Sequence, residues 1–121
     1  MPETEPKYFN HEVYSGVNVI TALADVAMDR ESAPAYRTVF IDLSTDPECT
    51  SVVLDITRAH LLDTSHLAVI VGAQKRLQAN SKNFIVDYAG NKHVEDTFKM
   101  TGLIRIFELM EAQTSSLESP L

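Results

Sequence analysis

The chain has 121 residues, a length that suits one domain and is too short for two ordinary ones. Hydrophobic residues make up 45% of it and charged residues 22%, a composition typical of a globular fold rather than of a disordered segment. The formal net charge of -7 argues against nucleic acid as a partner, because phosphate binding needs a basic stripe and Lys and Arg do not cluster along the sequence.

The sequence lacks the patterns that indicate a disulfide, a metal centre or a membrane span. Cys49 is the single cysteine, so no internal disulfide can form, and the four histidines lack the spacing of metal ligands. The N-terminal segment MPETEPKYF has no signal-peptide pattern, and no apolar run approaches the roughly 18 residues of a membrane span. We therefore expect a cytoplasmic, prokaryotic protein that needs no cofactor or metal and does not insert into a membrane.

The first predicted elements are a hairpin and a helix. Strands are predicted over residues 8–14 and 17–23, joined by a turn. Ser32 is a favourable N-cap residue, and Pro34 follows at a position where a helix tolerates the missing N–H. The apolar face of this helix repeats at i, i+3, i+4 and i+7, and it consists of Tyr36, Val39, Phe40 and Leu43.

Alternating strands and helices are predicted for the rest of the chain. Residues 52–56 read VVLDI, a short β-branched run typical of a strand buried on both faces. The elements predicted after it are a helix from about Asp63 to Ala79, a strand over 84–88, a helix that ends at Gly102, and a strand over 104–109. This ββαβαβαβ order predicts a largely parallel sheet covered by helices. We expect a single domain over residues 8–112, with flexible tails at 1–7 and 113–121.

The segment most informative for function is Asp63-Thr64-Ser65-His66, which follows a predicted strand at the edge where parallel sheets carry their functional loops. The simplest interpretation is a helix cap, because Asp, Thr and Ser are all favoured N-cap residues. The functional interpretation is a switch, because the free N–H groups and partial positive charge of a helix N-terminus tolerate a phosphate on a hydroxyl. His60 and His66 are formal candidates for a general base, but surface positions without a catalytic role are expected for both.

Three segments together resemble the STAS domain family, which takes its name from sulfate transporters and anti-sigma factor antagonists. Residues 51–77, SVVLDITRAHLLDTSHLAVIVGAQKRL, are similar to the family's buried strand, its Asp-Ser-Ser-Gly-Leu type signature and the helix that follows. Residues 28–36, MDRESAPAY, are similar to its Gly-Glu-Leu-Asp stretch, with Asp29 at the Asp position. Residues 98–109, FKMTGLIRIFEL, are similar to its closing Thr-Gly-Leu and short strand. The resemblance spans roughly residues 10–110.

The resemblance implies an α/β fold with a four- to five-stranded mixed sheet and helices packed mainly on one face. It also implies a non-enzymatic anti-sigma factor antagonist that takes part in transcription regulation by partner switching. The unphosphorylated form would bind an anti-sigma serine/threonine kinase, phosphorylation would break the complex, and a metal-dependent serine/threonine phosphatase would restore it. By position, Thr64 is the implied phosphoacceptor and Ser65 the alternative, and Asp29, Asp63 and His66 are implied to join them in binding the partner.

The sequence departs from the family pattern at two places, and two further functions stay open. His66 stands where the family has glycine, which predicts an imidazole at the partner-facing surface that blocks a kinase or narrows specificity. Val26, Ala27 and Met28 replace the Gly-Glu-Leu positions before Asp29. The alternatives are a non-switched STAS subunit of a lipid-type ABC transporter and a scaffold protein of a stress-signalling complex.

Overall fold

The sheet contains four strands within the part of the chain that the structure describes. The structure is a computed structural model, and it describes residues 8–24, 27–59 and 62–102. The strands, in their order across the sheet, are β1 (Phe9–Tyr14), β2 (Val17–Ala22), β3 (Ser51–Asp55) and β4 (Asn83–Asp87). β1 and β2 form an antiparallel hairpin, whereas β2, β3 and β4 run parallel. The predicted hairpin and mixed sheet are confirmed, and the strand predicted at 104–109 lies outside the described residues.

Within the same described residues, three helices connect or follow the strands, close to their predicted positions. They are α1 (Ala33–Ser44), α2 (Thr64–Ala79) and α3 (Lys92–Thr101). Pro34 lies in the first turn of α1, where its missing N–H leaves no helical hydrogen bond unmade. Gly102 ends α3 in the left-handed conformation, with φ of +80°, a conformation that glycine adopts without steric cost.

One face of the sheet forms the core beneath the helices. Side chains at matching register positions of the parallel strands, such as Ile20, Leu54 and Val86, are all buried on this face. The ring of Phe40 from α1 packs on the ring of Phe84 from β4, with centroids 5.6 Å apart. The prediction that β3 is buried on both faces is wrong: Val53 is only half-buried, because its side chain points away from the helices that cover Val52 and Leu54.

Candidate functional site

Two loops meet at the carboxyl edge of β2 and β3, where the resemblance implied a site. Met28 and Leu62 form a parallel bridge that continues the pairing of these strands beyond their ends. The amide of Asp63 donates to the carbonyl of Met28 at 3.1 Å. The residues that follow, Asp29 in one loop and Asp63 in the other, therefore occupy adjacent positions, although they are far apart in the sequence.

Asp63 is the cap of α2, and Thr64 is the first residue of that helix. The extended backbone of Asp63, with φ of -95° and ψ of 177°, directs its carboxylate back to accept from the amide of His66 at 3.3 Å. Thr64 is exposed, and its hydroxyl makes no hydrogen bond with any residue of the described ranges. Ser65 is half-buried. Of the three candidate caps, one therefore serves the helix, and the next residue presents a free hydroxyl to solvent.

Asp29 orders the turn that precedes α1. Its carboxylate accepts from the amides of Glu31 at 3.0 Å and Ser32 at 3.2 Å. Ser32 is the N-cap residue of α1, as predicted, but its hydroxyl makes no cap hydrogen bond. Because its carboxylate orders the turn before α1, Asp29 has a structural role.

The Ser32 hydroxyl points inward and binds His66. Its oxygen lies 2.8 Å from Nε2 of the imidazole, and both residues have 0% exposure. The same oxygen accepts from the amide of Asp29 at 3.3 Å and lies 3.2 Å from the carbonyl oxygen of Asp29. Since a carbonyl can only accept, the network is satisfied when Ser32 donates its proton to the carbonyl and His66 donates from Nε2. This hydrogen bond connects the two loops on the side that faces the core.

The predicted surface position of His66 is wrong, because this residue belongs to the inner face of α2. With His66, the residues Ile70, Ala73 and Leu77 recur at i, i+4, i+7 and i+11, and all are buried. The ring of Tyr36 from α1 meets the imidazole edge-on, with centroids 4.8 Å apart. An imidazole enclosed in this way does not face a partner, so it can act on the site only by positioning the two loops.

The chemistry of His66 is that of a neutral core residue. Its Nδ1 atom is buried and has no hydrogen-bond partner among the described residues. Burial lowers the pKa of the imidazole below its ordinary value, although the nearby carboxylates of Asp63 and Asp29 oppose this effect. Protonation would place an unpaired N–H donor inside the core, which agrees with the direction of the shift. His66 is therefore not a base for Thr64, and His60, the other candidate, lies outside the described residues.

This burial predicts a loss of stability in mild acid. The unfolded chain takes up a proton on His66 near the ordinary pKa of about 6.5, whereas the folded chain resists protonation because its pKa is lower. The free energy of unfolding should therefore be highest above that pH and fall below it, with a limiting slope of about 1.4 kcal/mol per pH unit from this group. Urea titrations of the wild type and of His66→Gln, which does not titrate, measure the contribution. Identical pH profiles for the two proteins would contradict the assignment.

Asn91 supports the same edge of the sheet, and sequence analysis did not identify it. Its side-chain nitrogen lies within hydrogen-bonding distance of the carbonyl oxygens of Ile56, Thr57 and Ala59, at 2.9, 3.2 and 2.7 Å. Its side-chain oxygen accepts from the amide of Val94 and so caps α3. An Asn before a helix signals the cap, but nothing local signals the contacts with a loop more than thirty residues earlier. Asn91 thus fixes the start of the segment that leads to Thr64.

The described residues contain neither a metal cluster nor a membrane span. No group of three or more His, Cys, Asp or Glu side chains within residues 8–24, 27–59 and 62–102 is arranged to hold a metal ion. Over the same ranges, no helix has the length and apolar character needed to cross a bilayer. The exposed hydroxyl of Thr64, without a hydrogen bond to the described residues, thus lies between the carboxylate of Asp63, which caps α2, and that of Asp29, which orders the turn before α1.

The family model of the STAS domain matches residues 8–116, which is most of the chain. This protein belongs to the STAS domain family. No curated protein sequence matches the chain significantly. Several solved structures do share its fold, although their sequence identities are low.

The similar structures include the cell fate determinant SpoIIAA, which is an anti-sigma factor antagonist, and two further proteins of that kind. SpoIIAA of Bacillus in its phosphorylated form has a TM-score of 0.64 and 19% identity, covering 78% of this chain and 84% of that one. An antagonist from Mycobacterium paratuberculosis has a TM-score of 0.68 and 21% identity, with 82% and 80% covered. A STAS domain protein from Planctomyces limnophilus has a TM-score of 0.69 and 16% identity, with 88% and 98% covered. At these identities the similarity establishes the STAS fold.

Proposed function

We propose that this STAS domain is an anti-sigma factor antagonist controlled by phosphorylation of Thr64. In its unphosphorylated form it binds an anti-sigma serine/threonine kinase in the cytoplasm, and it acts by binding rather than as an enzyme. The observation that carries the proposal is the hydroxyl of Thr64, which is exposed at the N-terminus of a sixteen-residue helix and makes no hydrogen bond with the described residues. A kinase can reach this hydroxyl, and the chain needs no rearrangement to present it.

Phosphorylation of Thr64 is chemically suited to a binding switch. The kinase forms a bond between the Thr64 oxygen and the γ-phosphorus of ATP, the bond to ADP breaks, and a base of the kinase takes the hydroxyl proton. A metal-dependent serine/threonine phosphatase reverses the modification by hydrolysing the phosphate ester. The helix N-terminus tolerates the new charge of about -1.5 to -2, so the fold survives the modification.

The same charge opposes partner binding. Asp63 precedes Thr64 directly, and the bridge between Met28 and Leu62 brings Asp29 to an adjacent position. A phosphate added there would join two carboxylates and would need its own counter-charge and space within any complex. A partner surface that fits the unmodified loops would lose this fit through repulsion, desolvation and steric overlap.

Three variants at neighbouring positions test the switch. With the serine/threonine kinase of the same organism, Thr64→Ala should abolish phosphate incorporation, and Thr64→Glu should weaken binding of the kinase by about tenfold or more. Ser65→Ala, a hydroxyl deletion one residue further on, is the matched control and should leave both unchanged. Phosphopeptide mapping and calorimetry measure the two effects. Phosphate on Ser65, or full incorporation into Thr64→Ala, would refute the role of Thr64.

A second candidate function is supported by the pair Asp63-Thr64 at the start of α2, where the signature carries Asp-Thr. STAS subunits of lipid-type ABC transporters tend to carry this pair and are not switched. In that case the two loops would serve as a permanent docking surface for an ATPase. The test above separates the two candidates. If the chain is a transporter subunit, no kinase would modify Thr64, and co-purification from the native host would recover an ATPase and a permease.

A further inference from the structure

A groove between α1 and α2 carries a concentration of positive charge that the sequence does not reveal. We define this arginine groove by Arg37, Ile41 and Val69, which line both halves of it, and by Arg30 and Arg76 at its two ends. No acidic residue of the described ranges lines either half. In a chain of net charge -7, three of the ten cationic side chains thus converge on one helix–helix groove.

The three arginines are available to a partner. All are exposed, and none forms an ion pair with a residue of the described ranges, where both ion pairs lie within α3. The helix α2 contains no acidic residue, and Asp42, the single acid of α1, does not line the groove. Asp29 and Glu31 flank Arg30 in the sequence, so the positive potential that favours an anionic occupant rests mainly on Arg37 and Arg76.

The shape of the groove requires an extended occupant. Arg30 lines one half, Arg76 the other and Arg37 both, so an occupant that contacts all three arginines extends along both halves. Between them the floor is apolar, formed by Ile41 and Val69. The part of α1 from Ala33 to Ile41 rises about 12 Å, close to two turns of another helix. An amphipathic helix satisfies these constraints, since its apolar stripe covers the floor while acidic residues beside the stripe reach the arginines.

Gly72 supplies a second reason to expect a helix there. It lies within α2, although glycine is among the poorest helix formers. A Cβ added at Gly72 would meet no atom of the described residues within 4 Å. Packing among the described residues therefore does not require this glycine. Gly72 lines the groove, and a missing side chain at this point allows the backbone of an occupant to approach α2 closely.

We propose that the arginine groove binds an acidic amphipathic helix of a partner protein. This surface does not include Thr64, so the proposal is independent of the phosphorylation switch. The recessed floor favours a helix over a membrane surface, which would touch the arginine rim without filling the groove. Binding in the groove would leave the loops of Asp29 and Asp63 free for a second contact.

The test is a selection from displayed helical peptides with a fixed apolar stripe and randomised flanking positions. Peptides that bind the wild type should be enriched in Asp and Glu beside the stripe. When they bind, the NMR chemical shifts of the protein's backbone amides should change most around Ile41 and Val69. Arg37→Gln/Arg76→Gln should weaken the selected peptides by about tenfold or more. Lys92→Gln/Lys99→Gln, the same charge change on α3, should alter binding less than about twofold.

Each other outcome contradicts the proposal. Neutral or basic consensus peptides, no enriched peptide at all, shift changes on another face, or equal losses in both double variants would overturn it. Vesicles of phosphatidylglycerol that bind the wild type but not Arg37→Gln/Arg76→Gln, in the absence of an acidic consensus, would assign the groove to lipid instead.

The variant Gly72→Ala separates loss of binding from loss of folding. Alanine favours the helix and meets no neighbour, so the melting temperature should rise by roughly 3 °C. The added methyl group should nevertheless weaken the selected acidic peptides severalfold, because it occupies the space of the approaching backbone. A more stable protein with unchanged peptide affinity would contradict the close approach.

Discussion

Replacing His66 with alanine is expected to lower the free energy of unfolding by about 3 kcal/mol. The substitution removes a ring with 0% exposure that contacts Tyr36, and it leaves a cavity beneath both loops of the site. It also removes the Nε2–H group that donates to the oxygen of the buried Ser32 hydroxyl, which lies 2.8 Å from Nε2. Urea denaturation followed by circular dichroism measures the change.

A matched histidine on the surface provides the control for this loss. His93 is exposed in the first turn of α3, and His93→Ala should change the stability by less than about 0.5 kcal/mol. A loss below about 1 kcal/mol in His66→Ala would mean that the enclosed ring does not support the core. A double-mutant cycle with Ser32→Ala should give a coupling energy of about 1 kcal/mol, since the two side chains form one buried contact.

Replacing Asn91 with alanine is expected to cost about 2 to 3 kcal/mol. The side chain caps α3 through the amide of Val94, and its nitrogen serves the carbonyls of Ile56, Thr57 and Ala59. Alanine removes both functions. Chemical denaturation should show the loss, and hydrogen exchange should show faster opening of the loop after β3, because Asn91 ties that loop to the start of α3.

The variant Asn91→Asp separates the two functions. A carboxylate can still accept from Val94, but it places negative charge against three carbonyl oxygens and donates to none of them. We expect it to be at least as destabilising as Asn91→Ala. Asn80→Ala, which removes one exposed hydrogen bond to the carbonyl of Arg76, should cost less than about 1 kcal/mol. Recovery of wild-type stability in Asn91→Asp would contradict the role of the donor.

The two structural variants also bear on the proposed switch. Ser32 and His66 join the loops of Asp29 and Asp63, and Asn91 fixes the segment that leads to Thr64. A partner that contacts both loops needs them at a defined separation, so loosening either support should weaken its binding beyond the loss of stability. The Thr64 variants, in contrast, should change binding and leave the stability nearly unchanged, because the Thr64 side chain is exposed and bonded to no described residue.

Local physics explains which features the sequence was able to predict. The alternation along β2, the apolar face of α1, the end of α2 at Ala79 and the left-handed stop at Gly102 all depend on residues within about one turn of each other. The capping segment at Asp63 belongs to this class, and so does the free hydroxyl beside it. The local sequence pattern determines these features, and the structure agrees closely with the prediction.

Features that depend on distant residues were decided only by the tertiary structure. Ser32 looks like a cap and His66 like a surface residue until the β2–β3 pairing brings them together, and their hydrogen bond then spans 34 residues. The three arginines of the groove are similarly scattered in an acidic sequence, and they become a single surface only when α1 packs on α2. The sequence by itself thus determined the elements and the position of the Thr64 hydroxyl. Packing determined what surrounds them, because burial and long-range charge arise from contacts that no local pattern encodes.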